Sequence, residues 1–216
     1  MPSRTFTVVV AAGGGARFGT AKQFVRLAGV TVVERAIAVA TEATDGVVVV
    51  LPADTEWRPA PPVLHAVGGA TRSDSVRAGL DLVPDDVDIV AVHDAARPLA
   101  TSALFAAVID AVRRGADGAI PVLPIVDTVK RVDGDRILET VARDDLVVVQ
   151  TPQAFRLDVL RAAHASGGVD TDDAALAEAV GGNIVSVPGD PRNVKLTVAY
   201  DLEFLRAMLD DGSVSR

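Results

Sequence analysis

The sequence contains no cysteine among its 216 residues. Disulfide bonds, thiolate metal sites and cysteine nucleophiles are therefore excluded, which fits a reducing compartment. Aromatic residues are also scarce, at 4% of the chain. The core must then be built from aliphatic, mostly β-branched side chains, the kind that fill strands buried on both faces.

Long apolar runs and an excess of positive charge are missing as well. The apolar runs are too short to cross a bilayer as a helix, and residues 1–7 lack the pattern of a secretory signal. The formal net charge of −8 argues against electrostatic binding of nucleic acid. We therefore expect a cytoplasmic protein with neither a membrane nor a nucleic acid as partner. Phosphate ligands stay compatible with this charge, because their sites use a few placed cations and backbone amides.

Short apolar segments alternate with amphipathic ones along the chain. The apolar segments predict strands at residues 6–12, 47–51, 89–92 and 119–122. The amphipathic segments predict helices at residues 32–43, 73–83 and 104–112. The alternation predicts an α/β fold, in which one Rossmann-like, three-layer domain spans residues 1–216 around a mostly parallel sheet.

The alternation is interrupted at residues 124–146. Two extended segments flank the turn Asp133-Gly134-Asp135, which predicts a β-hairpin inserted as an arm into the α/β domain. An exposed hairpin is only marginally stable alone, so this arm needs something to pack against. Beyond it, further strands are predicted at residues 146–150 and 183–187, and helices at residues 157–165, 172–180 and 199–209.

A glycine-rich loop follows the first predicted strand, with the sequence Ala11-Ala12-Gly13-Gly14-Gly15-Ala16-Arg17-Phe18-Gly19. Glycines let the backbone approach a ligand closely, and successive exposed N–H groups can surround phosphate oxygens. Arg17 contributes a permanent cation and Lys22 a second one on a flexible stem. This combination is typical of a triphosphate site.

Two better-known phosphate loops fit this segment poorly. A Walker loop requires Gly-Lys followed by Ser or Thr, whereas Lys22 comes too late after Gly19. A strict dinucleotide fingerprint requires a glycine where Phe18 stands. A degenerate form, Gly14-x-Ala16-x-x-Gly19, keeps a dinucleotide-binding oxidoreductase open, with Asp54 as its acidic ribose contact.

A carboxylate closes the predicted strand at residues 89–92, in the segment His93-Asp94-Ala95-Ala96-Arg97-Pro98. An acid at the carboxyl end of a strand, beside a phosphate loop, is well placed to bind Mg²⁺. Capping of the following turn is the competing interpretation of Asp94. We interpret His93 as a structural residue rather than a base.

Six motifs, in one order, resemble a known family over nearly the whole chain. The first loop with Lys22-Gln23 resembles the signature of the nucleotidyltransferases that activate sugars and polyols. More specifically, the later motifs resemble those of the cytidylyltransferases that act on methylerythritol phosphate. These later motifs lie at residues 68–76, 93–98, 150–155, 171–174 and 189–197. The chain departs from the family pattern at Val10, Ala21 and Ala70, without losing a cation.

The resemblance implies transfer of CMP from CTP to 2-C-methyl-D-erythritol 4-phosphate in the non-mevalonate isoprenoid pathway, releasing pyrophosphate. Ribitol phosphate is the alternative acceptor. The implied contacts to CTP are Ala11, Ala12, Gly13, Gly14, Gly15, Gly69, Ala70 and Ser75. The implied catalytic residues are Arg17 and Lys22 at the β- and γ-phosphates and Lys195 at the α-phosphate, with Mg²⁺ as the cofactor on Asp94.

The resemblance also implies how the acceptor is bound. Its implied contacts are Arg97, Thr128, Arg143, Thr151 and Thr171. In the resembling family the arm embraces a second subunit, so we expect a homodimer in which Thr128 and Arg143 complete the partner's site. Thr171 is equally well placed to cap a helix, and both roles stay open. No second, cyclase domain is expected beyond Arg216.

Overall fold

The computed structural model describes residues 3–15, 18–60, 62–165, 167–168 and 172–210. The strands are β1 (Thr5–Val10), β2 (Arg26–Leu27), β3 (Val30–Thr31), β4 (Gly46–Leu51), β5 (Leu64–Val67), β6 (Ile89–Asp94), β7 (Gly118–Pro124), β8 (Val129–Asp133), β9 (Arg136–Val141), β10 (Val147–Val149), β11 (Gln153–Arg156) and β12 (Ile184–Pro188). The helices are α1 (Val32–Ala43), α2 (Arg72–Leu80), α3 (Ser102–Arg113), α4 (Leu157–Ala165), α5 (Asp173–Ala179) and α6 (Ala199–Asp210). A short 3-10 turn covers Lys22–Phe24.

One sheet of eight strands organises the molecule, in the order β10-β7-β11-β6-β1-β4-β5, with β12 paired to β7. Strand β1 lies between β4 and β6 and is parallel to both. Strands β10 and β11 run antiparallel to their neighbours. The predicted α/β fold with a mostly parallel sheet is confirmed. Because β1 has a neighbour on each side from later in the chain, the loop after it lies where such sheets bind ligands.

Helices cover both faces of this sheet. On one face, α1 and α3 contribute Ala36 and Val108 to an apolar cluster that includes Val9 of β1. On the other face, α2 and α4 pack through Val76 and Leu160 against the same sheet. These side chains are fully buried, as the aliphatic composition predicts. The result is the predicted three-layer arrangement.

Two helices begin with reciprocal side-chain caps. The hydroxyl of Thr31 accepts from the backbone N–H of Glu34, whose carboxylate accepts from the Thr31 backbone. The same arrangement joins Thr71 and Asp74 at the start of α2. Such boxes satisfy N–H groups that the helix leaves unpaired, and fix where the helix begins. The start of α2 matters most, because it faces the loop after β1.

Strands β8 and β9 form a two-stranded antiparallel sheet of their own. They pair within residues 124–146, where the sequence predicts a hairpin, and the role of this segment as a dimerisation arm stays a prediction. Several apolar side chains of this segment and the adjoining β10 are exposed, namely Val126, Val132, Ile137, Leu138, Val147 and Val148.

The predicted elements omit two strands of the central sheet. Strand β5 is a four-residue edge strand whose side chains are mostly exposed, so it lacks the buried apolar run that marks the other strands. Strand β11 is also four residues long and contains two polar residues. None of the helices in the described part of the chain has the length and hydrophobicity that a bilayer span requires.

Candidate active site

A cavity of about 290 Å³ opens at the carboxyl ends of β1 and β6. We call it the cleft. It is lined by Val10, Ala11, Ala12, Gly13, Gly14, Lys22, Gln23, Gly69, Ala70, Thr71, Arg72, Ser75, Asp94, Ala95, Ala96 and Lys195. Ten of the residues predicted to form the site meet here, although the sequence separates the first from the last by more than 180 positions. The start of α2 and the loop after β1 form two facing walls.

The glycine loop divides into a lining part and a shaping part. Gly13 and Gly14 line the cleft, and a β-carbon added at either would meet no atom within 4 Å. Gly15 does not line it. Its φ is +64°, and a β-carbon there would lie 2.0 Å from the carbonyl oxygen of Thr20. Gly15 therefore allows the tight turn that presents the preceding backbone to a ligand.

Two lysines from opposite ends of the chain converge on the cleft. Lys22 donates from Nζ to the carbonyl oxygen of Leu196 at 2.7 Å. Lys195, the preceding residue, contacts Oδ2 of Asp94 through Nζ at 2.6 Å. Buried Leu196 anchors this segment by donating its backbone N–H to Ala96 at 2.7 Å. The cleft thus brings together the two lysines that the sequence predicts to act on one triphosphate.

Asp94 is the single acidic residue among those that line the cleft. Its Oδ1 accepts from Nε of Arg72 at 3.3 Å, and its Oδ2 accepts from Lys195. Burial alone would raise the pKa of Asp94, but the charges of Arg72 and Lys195 outweigh it and hold the pKa well below its usual range. Asp94 is therefore an anion near neutral pH.

The cleft fits a divalent cation that arrives with a substrate better than a resident one. The described residues contain no group of three or more His, Asp or Glu side chains that could hold a metal ion. Mg²⁺ in phosphate sites is held by one or two carboxylates together with water and phosphate oxygens. The ionised carboxylate of Asp94 can supply that one protein ligand once Lys195 has exchanged Oδ2 of Asp94 for another anion.

Arg72 is a residue of the cleft to which the motif analysis gives no role. It is the first residue of α2, and its guanidinium bridges Asp94 and Asp173. A cation is unfavourable at a helix N-terminus, where the helix dipole is positive. An arginine in that position is thus a signal in the sequence that a carboxylate lies nearby.

His93 and Thr151 lie beneath the cleft, in the core. Both are buried, and the Thr151 hydroxyl lies 3.2 Å from Nδ1 of His93 while accepting from the Asp94 backbone N–H at 3.0 Å. Burial lowers the pKa of His93 to about 4. The structure therefore holds His93 as a neutral residue beneath Asp94, and it directs the Thr151 hydroxyl inward.

The remaining predicted acceptor residues do not line the cleft. Arg97 donates to the carbonyl oxygens of Asn193 and Val149 at 2.7 and 3.2 Å, and so braces the segment before Lys195. Thr128 and Arg143 are exposed at the base of the arm. Two predicted site residues, Arg17 and Thr171, lie outside the described residues.

A larger hollow of about 900 Å³ lies elsewhere, beside residues 85–89 and 156–161. Its arginines are engaged by neighbouring acids: Arg113 by Asp110, Arg156 by Asp158, and Arg161 by Asp85. Its lining does not include the glycine loop after β1 that forms one wall of the cleft. Asp54, the ribose contact of the oxidoreductase alternative, is exposed and lines neither cavity. The chemistry of the motifs is therefore concentrated in the smaller cavity.

Comparison with known sequences points to one family. The family model for 2-C-methyl-D-erythritol 4-phosphate cytidylyltransferase matches residues 5–211. A protein of that name from Rhodococcus jostii is 42% identical over 95% of this chain and 95% of its own length. The bifunctional enzyme IspD/IspF of Solidesulfovibrio magneticus is 43% identical over 93% of this chain. The chain spans about half the length of such bifunctional relatives, 56% in this case.

Solved structures agree with the sequence comparisons. The crystal structure of 2-C-methyl-D-erythritol 4-phosphate cytidylyltransferase from Thermus thermophilus superimposes with a TM-score of 0.83 at 33% identity. The match covers 94% of this chain and 98% of that one. The structure of the bifunctional IspDF from Campylobacter jejuni superimposes with a TM-score of 0.82 at 29% identity, over 93% of this chain and 54% of that one.

Proposed function

The chain belongs to the 2-C-methyl-D-erythritol 4-phosphate cytidylyltransferase family, and from this premise we propose that it transfers the cytidylyl group of CTP to 2-C-methyl-D-erythritol 4-phosphate. The products are 4-diphosphocytidyl-2-C-methyl-D-erythritol and pyrophosphate, in the non-mevalonate route to isoprenoid precursors. The observation that carries the proposal is the convergence of the glycine loop, Lys22 and Lys195 on one cleft. We place the enzyme in the cytoplasm, where CTP is made.

The reaction joins two anions, so the protein's main task is to neutralise charge and align the reactants. A phosphate oxygen of the acceptor attacks the α-phosphorus of CTP, and the bond to the β-phosphate oxygen breaks. The acceptor phosphate is ionised near neutral pH, so no base has to remove a proton. This agrees with the cleft, whose lining residues include no histidine.

Each cation has a place in this scheme. Lys195 stabilises the charge that develops at the α-phosphate, and Lys22, with Arg17, holds the β- and γ-phosphates of the leaving group. The backbone of residues 11–14 surrounds the phosphates, and Gly69, Ala70 and Ser75 on the facing wall contact the cytosine. In the folded protein Lys22 and Lys195 already lie at the cleft, so CTP binding requires each lysine to exchange its partner, Leu196 or Asp94, for a phosphate.

The cofactor in this proposal is Mg²⁺, with Asp94 as its protein ligand. The ion would neutralise phosphate charge and orient the triphosphate. The low pKa of Asp94, which burial opposes and Arg72 and Lys195 produce, keeps the carboxylate ionised for this role.

We also propose a homodimer in which the arm completes the partner's site. The support is the exposed apolar surface of the arm, where Val126 is 78% and Ile137 58% exposed. A two-stranded hairpin with such side chains in water is marginally stable. A second copy of this chain would cover it, bringing Thr128 and Arg143 to the partner's acceptor, alongside Arg97 and Thr171. Thr151 contributes to that site indirectly, because its buried hydroxyl supports Asp94.

A coupled assay of pyrophosphate release tests the proposed reaction. The purified protein is incubated with CTP, Mg²⁺ and either 2-C-methyl-D-erythritol 4-phosphate or ribitol 5-phosphate, and each product is identified by mass. We expect turnover with the methylerythritol phosphate and a kcat/KM at least tenfold lower with ribitol phosphate. Equal or greater use of ribitol phosphate would refute the acceptor, and no pyrophosphate with either would refute the reaction.

A further inference from the structure

A row of buried polar side chains runs behind the cleft, and the mechanism above does not use it. Arg72 contacts Asp94 on one side, and on the other its Nη1 lies 2.7 Å from Oδ2 of Asp173. The second carboxylate oxygen of Asp173 lies 3.0 Å from Nε2 of His164. Through one guanidinium, two side chains without solvent access are thus connected to the carboxylate of the cleft.

The burial of this row is unusually complete. The side chain of Asp173 is 0% exposed and that of His164 is 2% exposed, although they belong to different helices, α5 and α4. A buried carboxylate is strongly unfavourable unless it is paired, and an apolar side chain of similar size would serve packing alone equally well. The presence of an aspartate with two partners therefore indicates that its charge has a use.

That use is visible at Arg72. The guanidinium sits at the first residue of α2, where the helix dipole repels a cation, and it lines the cleft beside Thr71. With Asp94 as its single partner it would be drawn fully onto that carboxylate. Asp173 instead contacts Nη1 while Asp94 contacts Nε, so the guanidinium of Arg72 is shared between two anions. Burial alone would lower the pKa of Arg72, but these two carboxylates raise it, so the guanidinium stays charged.

His164 in turn holds Asp173. Its Nε2 is the partner of Oδ1, which leaves Oδ2 directed at Arg72. The carboxylate of Asp173 can rotate about its Cβ–Cγ bond, and a hydrogen-bond partner on one oxygen restricts that rotation. The orientation of Arg72 then depends on His164, a residue of α4 that does not line the cleft.

We propose that Asp173, oriented by His164, is a positioning residue that fixes Arg72 beside Asp94 and thereby shapes the nucleotide cleft. The inference rests on the proposed function and extends it to residues outside the cleft. It assigns to Asp173 and His164 an effect on CTP binding that a purely structural role would not produce.

Two substitutions of His164 separate positioning from packing. His164→Gln keeps an N–H donor near the position of Nε2. His164→Leu removes the donor and fills the same space with an apolar side chain. We expect His164→Leu to weaken CTP binding by about tenfold, the usual size of a lost hydrogen bond to a charged group, and His164→Gln to weaken it by less than about threefold. His65→Leu, at an exposed histidine, is the matched control and should leave CTP binding unchanged.

The measurements are calorimetric titration with CTP, thermal unfolding, and separate KM values for CTP and the acceptor. If His164 positions Arg72 through Asp173, His164→Leu should raise the Kd and the KM for CTP and leave the KM for the acceptor unchanged. Both are measured well below the unfolding temperature of the variant. Equal CTP affinity in the wild type and His164→Leu would overturn the proposal, even if His164→Leu unfolds at a lower temperature. Equal loss in His164→Leu and His164→Gln would overturn it as well, because the donor would then be irrelevant.

Asp173→Asn provides an independent test if His164→Leu does not yield folded protein. It removes the charge that pulls on Arg72 and should weaken CTP binding by about tenfold or more. Combined with His164→Gln, it should add little further loss, since both act through one contact. An unchanged affinity in Asp173→Asn would refute the proposal. Turnover by the wild-type protein in the pyrophosphate assay reports separately on the proposed function.

Discussion

Acid should destabilise this protein through His93 before it titrates most carboxylates. The imidazole is fully buried in β6, below the cleft, with the Phe105 ring 5.3 Å away and the Thr151 hydroxyl on Nδ1. Burial is the largest influence on its pKa, which falls from 6.5 to about 4. Between these two values the unfolded chain takes up a proton that the folded protein excludes.

The sign and size of the effect follow from linkage. Above pH 6.5 the imidazole is neutral in both the folded and the unfolded state, so the burial of His93 does not lower the free energy of unfolding there. As the pH falls from 6.5 towards 4, the unfolded state gains free energy from protonation and stability is lost. A folded pKa of about 4 gives a loss of about 2 kcal/mol at pH 5 and about 3 kcal/mol once the pH is below both values.

Urea unfolding at pH 7.5 and pH 5 measures this loss. His93→Asn is the informative variant, because its amide oxygen can accept from Thr151 and cannot titrate. We expect the wild type to lose about 2 kcal/mol more than His93→Asn between the two conditions, and His65→Asn, at an exposed histidine, to behave as the wild type does. Equal losses in wild type and His93→Asn, or an NMR spectrum of the folded protein with His93 charged at pH 5, would refute the reasoning.

Three further predictions concern the cleft and the arm. Lys195→Ala and Lys22→Ala should each lower kcat by about 10² or more, because each removes a cation from the transition state, while the far-UV circular dichroism stays unchanged; near-normal pyrophosphate release in both would contradict their roles. Arg143→Ala should raise the acceptor KM, and an equimolar mixture with Lys22→Ala should recover about a quarter of wild-type activity if sites form between two subunits, whereas no recovery would argue against the arm. Gly15→Ala should lower the unfolding free energy by about 1–3 kcal/mol because the turn cannot hold a β-carbon, while Gly13→Ala, which meets no atom within 4 Å, should leave it nearly unchanged in thermal unfolding.

Elements with strong local signals were predictable from the sequence. The predicted helix at residues 32–43 coincides with α1, because the capping pair Thr31 and Glu34 fixes its start and its apolar face is regular. The hairpin of β8 and β9 follows from an Asp-Gly turn between extended segments. Strand β5 has no comparable signal, since it forms an exposed edge through pairing with β4 alone. Its existence depends on a neighbour that local sequence does not describe.

In the site as well, features with a local sequence signal were predictable, and contacts between distant residues were not. Backbone groups and lysines of the cleft belong to motifs that can be recognised along the chain. The partners of Arg72 cannot, because Asp94 and Asp173 lie 22 and 101 positions away and only the fold brings them together. The cation at a helix start favours a nearby carboxylate, but the sequence does not indicate which one.

The charge of the cleft explains how an acidic protein can accept a triphosphate. Lys22, Arg72 and Lys195 outnumber the single carboxylate of Asp94 there, against a net charge of −8 for the whole chain. The positive potential is thus confined to a small, half-enclosed volume, which attracts a compact anion and gives an extended polyanion no continuous basic surface. Without ligand, the ion pair of Lys195 with Asp94 avoids the cost of two unpaired charges. When a triphosphate binds, Lys195 can exchange Asp94 for a phosphate group as its anionic partner. The cleft therefore gains a contact to the ligand, although Lys195 is paired in the absence of ligand.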